Sequence, residues 1–458
     1  MCPIIIFDAL GIVIRPQKPI MKTGVISLST LPSNAKVHIN GKLFNERTPT
    51  VIRNLKPGNY DITISISSYH TWHKVVPVIE EQATVLENIF LIPQVWAKRA
   101  ITAFKFQKML PIDERALLLI PQDNKTNGIY VYRWSTPALP INLNNNNMDE
   151  NDKLSPLFNS SNQNLPENIT DIITIEESTN LLLKLSNATV TENPAFIWVD
   201  PLSTPTEFSD ISLLFTSQPE NIFWSAEDND NIFYTNSKDI SRIDVKNKGI
   251  FPQIATNTKG FGLHGRQLYV VDTGDHFNKI DYRQPKREKL TGGLETLPKE
   301  FQETEQYRIT VLNNTTLFLS QDGQLLWNGL PYKLIEKNCK GFIPLAEGKK
   351  LLVWTTSQIG IIDFAETRRE GLFETGPTIT WVINNGKNIT QAFPVNHGSQ
   401  IIFKDGDQVN LTDVDMICSR EISMITSTQN RIFYSEKAGK LFYIDDKTQQ
   451  LIIINILP

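Results

Sequence analysis

Several groups of residues in this chain carry side chains able to do chemistry, and each can be tested against the arrangement that chemistry requires. Acidic runs occur at Glu227-Asp228-Asn229-Asp230, Asp272-Thr273-Gly274-Asp275 and Asp405-Gly406-Asp407. Carboxylates this dense could ligate calcium, yet none of the runs has the spacing of an EF-hand loop, with its obligatory glycine and its distal bidentate glutamate. Asp and Gly are also what tight turns demand, so the runs read as hairpin tips and no metal ligands are assigned. Asp275-His276 has the composition of an acid–base pair, but neighbours along a strand point to opposite faces. The three cysteines, Cys2, Cys339 and Cys418, show no CxxC or Cys/His ligand spacing. A Cys339–Cys418 bridge is open to them, although two buried thiols acting as small hydrophobes is the favoured reading.

No Gly-x-Ser-x-Gly elbow, phosphate loop or dinucleotide fingerprint is present. No catalytic residue and no cofactor is therefore assigned, though single carboxylates from separate elements could still meet in one channel. The remaining candidates are aromatic. Tyr69, His70 and Trp72, followed by His73, could form a contact patch for a partner, since Tyr and Trp dominate interface hot spots. The plainer reading, and the favoured one, puts Trp72 in a core and Tyr69 over a sheet edge.

The elements that position these residues are strands. From Gly24 onward the pattern alternates: Ile26 and Leu28 against Ser27 and Ser29, then Ala35, Val37 and Ile39 against Lys36, His38 and Asn40. Tyr60, Ile62, Ile64 and Ile66 alternate likewise with Asp61, Thr63, Ser65 and Ser67. Period-two alternation means half-buried antiparallel strands. Leu31-Pro32-Ser33-Asn34, Asn40-Gly41, Thr48-Pro49 and Lys56-Pro57-Gly58-Asn59 mark the turns between them.

The ordered set Gly24-Val25-Ile26-Ser27-Leu28-Ser29, Pro32-x-x-Ala35-x-Val37-x-Ile39-x-Gly41, Thr48-Pro49 and Leu55-x-Pro57-Gly58-x-Tyr60-x-Ile62 resembles a PEGA domain. Tyr69-His70-x-Trp72-x-Lys74 and the closing Glu87-Asn88-Ile89-Phe90-Leu91-Ile92-Pro93 fit the same pattern over 23–93. Lys56 departs from the residue often found beside the family's Pro-Gly turn, a position that tolerates change. The resemblance implies a non-enzymatic β-sandwich of bacterial surface and envelope proteins, often tethered to a membrane and often fused to a second module.

After Pro93 no long helical period appears. An apolar strand, a polar turn and a second strand ending near Asp recur instead. The clearest copies are 231–244, 267–282, 350–364 and 431–445, with weaker ones at 116–134, 181–200, 316–327 and 400–411. Such recurrence is what a β-propeller produces, with each hairpin the inner or outer pair of a blade. Dividing the length by a blade of about 40–50 residues suggests roughly seven blades, with six or eight open. The expected fold is thus all-β: an antiparallel sandwich at 23–93, then a propeller over 94–458. A stack of β-sandwiches is the rival, because its alternation and turn spacing look alike. The Asn-rich segment 142–168 breaks the rhythm and reads as a polar, mobile loop. Leu451–Ile456 reads as a strand buried on both faces, pairing near Ala116–Ile120 or Arg431–Asp445 to close the ring.

Bulk properties bound the function. At 458 residues the chain exceeds one ordinary domain. A net charge of −4, with no basic stripe, argues against a nucleic-acid partner. Pro3–Ile14 is apolar but too short to span a bilayer, which needs about twenty residues. It reads either as the end of a truncated membrane anchor in residues 1–22 or as a strand added to a sheet edge. Together these features point to a monomeric, non-enzymatic scaffold or binding protein outside the cytoplasm, possible membrane association being through the N-terminus. Its propeller would present a surface to a protein or an envelope glycan. The alternative is a propeller enzyme acting on envelope glycans at the central channel.

Overall fold

The computed structural model describes residues 12–13, 21–101, 104–122, 128–134, 152–157, 169–175, 178–185, 195–203, 206–283, 287–289, 297–298, 306–312, 315–329, 332–345, 348–364, 368–370, 373–414 and 422–457. Regular structure among these residues is β throughout, apart from short 3₁₀ turns such as Ser212–Leu214. No helix among them is long and apolar enough to cross a membrane. Within the N-terminal segment, Ile12–Val13 pair with Met21–Lys22. Residues 3–11 and Cys2 lie outside the described residues.

The first unit is a sandwich of two sheets. Gly24–Leu31 runs between Thr50–Leu55, antiparallel, and Ala83–Phe90, parallel. Opposite them lie Lys42–Arg47, Lys36–Ile39, Gly58–Ser65 and Trp72–Val78 in that order. The alternation read from the sequence becomes the core. Ile26, Leu28, Val37, Ile62 and Ile64 all face inward and pack with Ile52, Val76 and Leu86, while their polar neighbours face water.

Eight four-stranded sheets follow, two of them joined by a parallel pairing of their first strands. In chain order these blades occupy 106–156, 169–210, 221–255, 258–289, 307–336, 341–383, 389–427, and 432–455 completed by 98–101. The count is one above the seven suggested by length. It equals the number of hairpin copies visible in the sequence, one per blade. Those copies are mostly the second and third strands, not the inner or outer pair, because middle strands are buried on both faces and so read most apolar. In the first blade Leu117 and Leu119 pack toward the eighth blade, while Ala116 and Leu118 pack toward the second. In the seventh, Ile401 and Phe403 pack toward the sixth and Ile402 toward the eighth. Eight such interfaces join each blade to the next and the eighth to the first, which is the closure of a propeller and rules out a stack of sandwiches.

First strands of neighbouring blades approach around the axis. The tightest approach pairs Gly260 with Tyr307 and Phe261 with Arg308 in parallel. It depends on glycine: a Cβ at Gly262 would lie 2.0 Å from the Ile309 carbonyl oxygen. The ring is tied where Leu451–Asn455 pairs with Lys440–Ile444 on one side and with Lys98–Ile101 on the other. The partner at Arg431–Asp445 was legible. The alternative near Ala116–Ile120 is replaced by Lys98–Ile101, the strand borrowed from the N-terminal side.

The polar segment 142–168 requires a correction. Within it Lys153–Pro156 forms the outer strand of the first blade, paired with Tyr130–Arg133, and Leu157 is buried between the first and second blades. Asp152 is fully buried, bound to Arg99 and Tyr132 with Lys440 nearby. A short strand on a blade's rim needs little apolar content, so composition conceals it. The rest of that segment lies outside the described residues.

Candidate functional site

Because strands alternate in direction, the turns joining first to second strands of every blade emerge on one face of the ring. The turns joining second to third strands, and the links between blades, emerge on the other. The sandwich sits on the first face. Phe90, at the end of its last strand, is buried between the seventh and eighth blades among Val395, Ile454 and Ile456, with Leu31, Ile92 and Trp96 packed alongside. The connecting segment follows the sandwich backbone: Leu91 N donates to Leu31 O at 2.8 Å, His70 N to Ile92 O at 2.8 Å and Gln94 N to Ser68 O at 2.9 Å. Asn396 Nδ2 also reaches Asn88 O at 3.5 Å. The two units therefore share one core across their boundary.

Beside this joint, the turns of blades seven, eight and one bring together His397, Glu436, Lys437 and Glu114. His397 N donates to Glu436 Oε1 at 2.7 Å. Lys437 pairs with Glu114 Oε2 at 2.8 Å, and Ser435 Oγ donates to Glu114 O at 2.8 Å. Burial pushes the Glu436 carboxyl above the ordinary carboxylate range, and the neighbouring Glu114 charge adds to the effect against the hydrogen bond from His397. Tyr434, buried next to it, is likewise held in its neutral form. Such a carboxyl can keep a proton closer to neutral pH than an exposed one. Sequence reading could not find this group, whose members lie up to 323 positions apart as Glu114 and Lys437 and stand in unremarkable turns.

The residues singled out by type behave differently. Tyr69 and Trp72 are partly buried against the sandwich core, and Lys74 Nζ lies 5.5 Å from the Trp72 ring centroid. His70 is exposed. Tyr69 also bridges to Pro93 through its backbone, so two of the three candidates serve the joint and the core. His73 Nε2 lies 2.9 Å from Asp61 across the sheet.

The acidic runs shape turns and seams. Asp272 Oδ1 accepts from Gly274 N at 2.9 Å and His276 N at 3.0 Å, and the His276 ring faces Asp272, not Asp275. Asp405 caps Lys387 N and Asn388 N. Asp228 accepts from Tyr282 Oη at 2.6 Å and from Arg283 and Asn231 at 3.0 Å. Burial pushes that carboxyl up, but those hydrogen bonds outweigh it and hold Asp228 below its usual range. Arg242 completes this seam between the third and fourth blades, its guanidinium 3.8 Å from the Phe251 ring centroid. No group of three His, Cys, Asp or Glu side chains among the described residues is arranged to hold a metal ion. Cys339 is a buried free thiol, pushed up to about 12 by burial. Cys418 lies outside the described residues.

Comparison with known proteins places residues 23–89 in the PEGA domain family. A search of curated protein sequences found no match. Among solved structures, the chain is similar to PorZ, described as an essential bacterial surface component of the type-IX secretion system of Porphyromonas gingivalis. That similarity has 9% identity and a TM-score of 0.38, and it covers 75% of this chain but only 42% of PorZ. A eukaryotic initiation factor aligns at 10% identity and a TM-score of 0.48, over 80% of this chain and 89% of the other. An oligogalacturonate lyase in complex with manganese aligns at 10% identity and a TM-score of 0.35, over 61% of this chain and 86% of the other. Similarity this distant carries no statement about what the present chain binds or catalyses.

Proposed function

We propose that this protein is a non-catalytic binding scaffold of the bacterial cell envelope, in which the PEGA sandwich fixes the orientation of a propeller that presents its rim to a protein or a glycan. The observation that carries this reading is the shared core at Phe90. A sandwich joined by a loose tether would leave the ring free to tumble, whereas Phe90, Ile92 and Trp96 wedge it into the seam of blades seven and eight. Whatever the sandwich or the N-terminal segment attaches to, one face of the ring is then turned toward it and the other away. Rigid rings with exposed loops suit presentation of this kind. The envelope location rests on the PEGA match and on what that family implies.

Fractionation of the native cells, followed by cross-linking on intact cells, tests the reading. The protein should partition with the envelope and cross-link to envelope protein or glycan. Recovery in the cytosol without such products would overturn it. Glu436 supports a second reading, a glycan-cleaving enzyme, because a partly buried carboxyl raised above the ordinary carboxylate range near Glu114 has the makings of a general acid. Hydrolysis of envelope glycans that is abolished by Glu436→Gln would favour that reading over the scaffold.

A further inference from the structure

We infer that the face of the ring turned away from the sandwich carries a binding cleft for a neutral saccharide, at the seam between the eighth and first blades. This inference rests on the scaffold reading and names a ligand class for it. The cleft is lined by Gln107, Gln122, Gln429, Asn430, Asp446 and Gln449. Gln107 and Gln122 belong to the first blade. Gln429 and Asn430 come from the link into the eighth blade, and Asp446 and Gln449 from the turn before the C-terminal strand. Five carboxamides thus converge from four separate stretches of chain on the same seam that closes the ring.

The floor of the cleft is built and internally satisfied. Asp446 accepts from Gln429 N at 2.9 Å, Asn430 Nδ2 at 2.9 Å and Thr428 Oγ1 at 3.1 Å. Asn430 Nδ2 also donates to Ile444 O at 3.0 Å, and Gln449 O accepts from Phe106 N at 2.7 Å. The fold spends this carboxylate on positioning its neighbours, so its oxygens are already engaged by donors from Thr428, Gln429 and Asn430. The side chains of Gln107, Gln122, Gln429 and Gln449, by contrast, make no hydrogen bond to any described residue. Each carboxamide offers two donors and two acceptor lone pairs from a planar group.

That chemistry selects the ligand. An anionic ligand would find no cation in the lining, and a cationic one would meet only the Asp446 carboxylate, already engaged by Thr428, Gln429 and Asn430. A protein partner would look for aromatic or aliphatic anchors, but Phe106 is 1% exposed and Ile444 4%, so the apolar lining is turned inward. What the cleft offers is a set of paired donors and acceptors carried on backbone that the two blades fix, which matches the vicinal hydroxyl and N-acetyl groups of a neutral saccharide.

The full chain can be titrated calorimetrically with chitotetraose and cellotetraose as neutral probes, alongside a neutral tetrapeptide and an acidic oligogalacturonate. A neutral oligosaccharide should bind with an affinity that high salt leaves unchanged. Gln122→Ala combined with Gln429→Ala should weaken it by about tenfold or more, one or two lost hydrogen bonds. The thermal midpoint of that variant should stay where it is, since neither side chain bonds to a described residue. No binding of either neutral saccharide, preference for the peptide or the acidic sugar, or binding indifferent to the double substitution would each overturn the inference. If the saccharides fail while the protein still cross-links to an envelope component, only the ligand class falls. If both fail, the scaffold reading falls with it.

Discussion

Arg99 and Asp152 meet across the seam at which the ring closes. Arg99 stands on the strand borrowed to complete the eighth blade, and its guanidinium donates to an Asp152 carboxylate whose side chain is 0% exposed. Tyr132 Oη donates to the same carboxylate at 2.7 Å, and Lys440 Nζ, from the eighth blade, lies 3.9 Å from it. One carboxylate therefore links the N-terminal strand, the C-terminal blade and the first blade. Removing one member of such a buried pair leaves its partners charged without compensation, at a cost of about 3–5 kcal/mol. Asp152→Ala should lower the unfolding free energy in urea by that order. A loss under about 1 kcal/mol would mean that the pair behaves as a solvated surface bridge.

Truncation after Gln450 should open the ring. It removes Leu451, Ile453 and Ile454, each at most 3% exposed, together with Ile452 and Ile456. At about 1.5–3 kcal/mol for each buried side chain, the loss is comparable to the whole stability of a typical domain. It also deprives Lys98–Ile101 of its pairing partner in the blade. Circular dichroism of the truncated chain should show a collapsed thermal transition. A truncated protein melting like the full chain would contradict the closure.

The parallel approach of the fourth and fifth blades makes Gly262 a sensitive position. Gly262→Ala places a Cβ against backbone, which cannot swing aside as a side chain can. The expected cost is about 1–3 kcal/mol, possible relief coming only through separation of the two strands. Gly406 supplies the control. Its φ of +58° is left-handed, but nothing stands within 4 Å of a Cβ there, so Gly406→Ala should cost only the conformational penalty, about 1–2 kcal/mol. Urea melts check the difference in mechanism: asparagine, which tolerates left-handed backbone, should cost less than alanine at 406 and no less than alanine at 262.

Glu436 makes a contribution with a defined pH sense. Burial raises its folded-state pKa above the unfolded value, so the folded chain holds this proton more tightly. The resulting stabilisation is complete below the unfolded glutamate value of about 4.3 and disappears as pH rises through the folded pKa. Glu436→Gln keeps an acceptor for His397 N while removing the charge. The variant should therefore melt higher than the parent at about pH 8 and no higher at about pH 4. Parallel melting curves at the two pH values would show whether the gap widens with pH as required.

A shared core at Phe90 predicts coupled unfolding of the two units. Phe90→Ala should cost about 3–5 kcal/mol. In the parent, differential scanning calorimetry should show the sandwich and ring melting together, and the variant should split them into two transitions. Separate transitions already present in the parent would indicate that the joint contributes little.

The sequence by itself determined what local periodicity can encode. Alternation at Ile26, Leu28, Ile62 and Ile64 declared half-buried strands and, through ordered turns, a PEGA-like sandwich. Hairpin copies that include apolar runs such as Leu117–Leu119 and Ile401–Phe403 declared a repeated blade, and the eight copies correspond to the eight blades. Length arithmetic miscounted them because it assumed a uniform blade, whereas the hairpin copies marked the middle strands directly. Rim strands such as Lys153–Pro156 stayed hidden, since a half-exposed strand has no apolar run to display. Only the tertiary structure decided which residues meet around the ring. Closure brings Arg99 to Asp152, Glu114 to Glu436 and Gln122 to Gln429, pairs whose chain separation leaves no local trace. Each of these groups sits in a turn or on a rim, where almost any polar residue is tolerated, and it acquires a role only when blades on either side of a seam are packed into place.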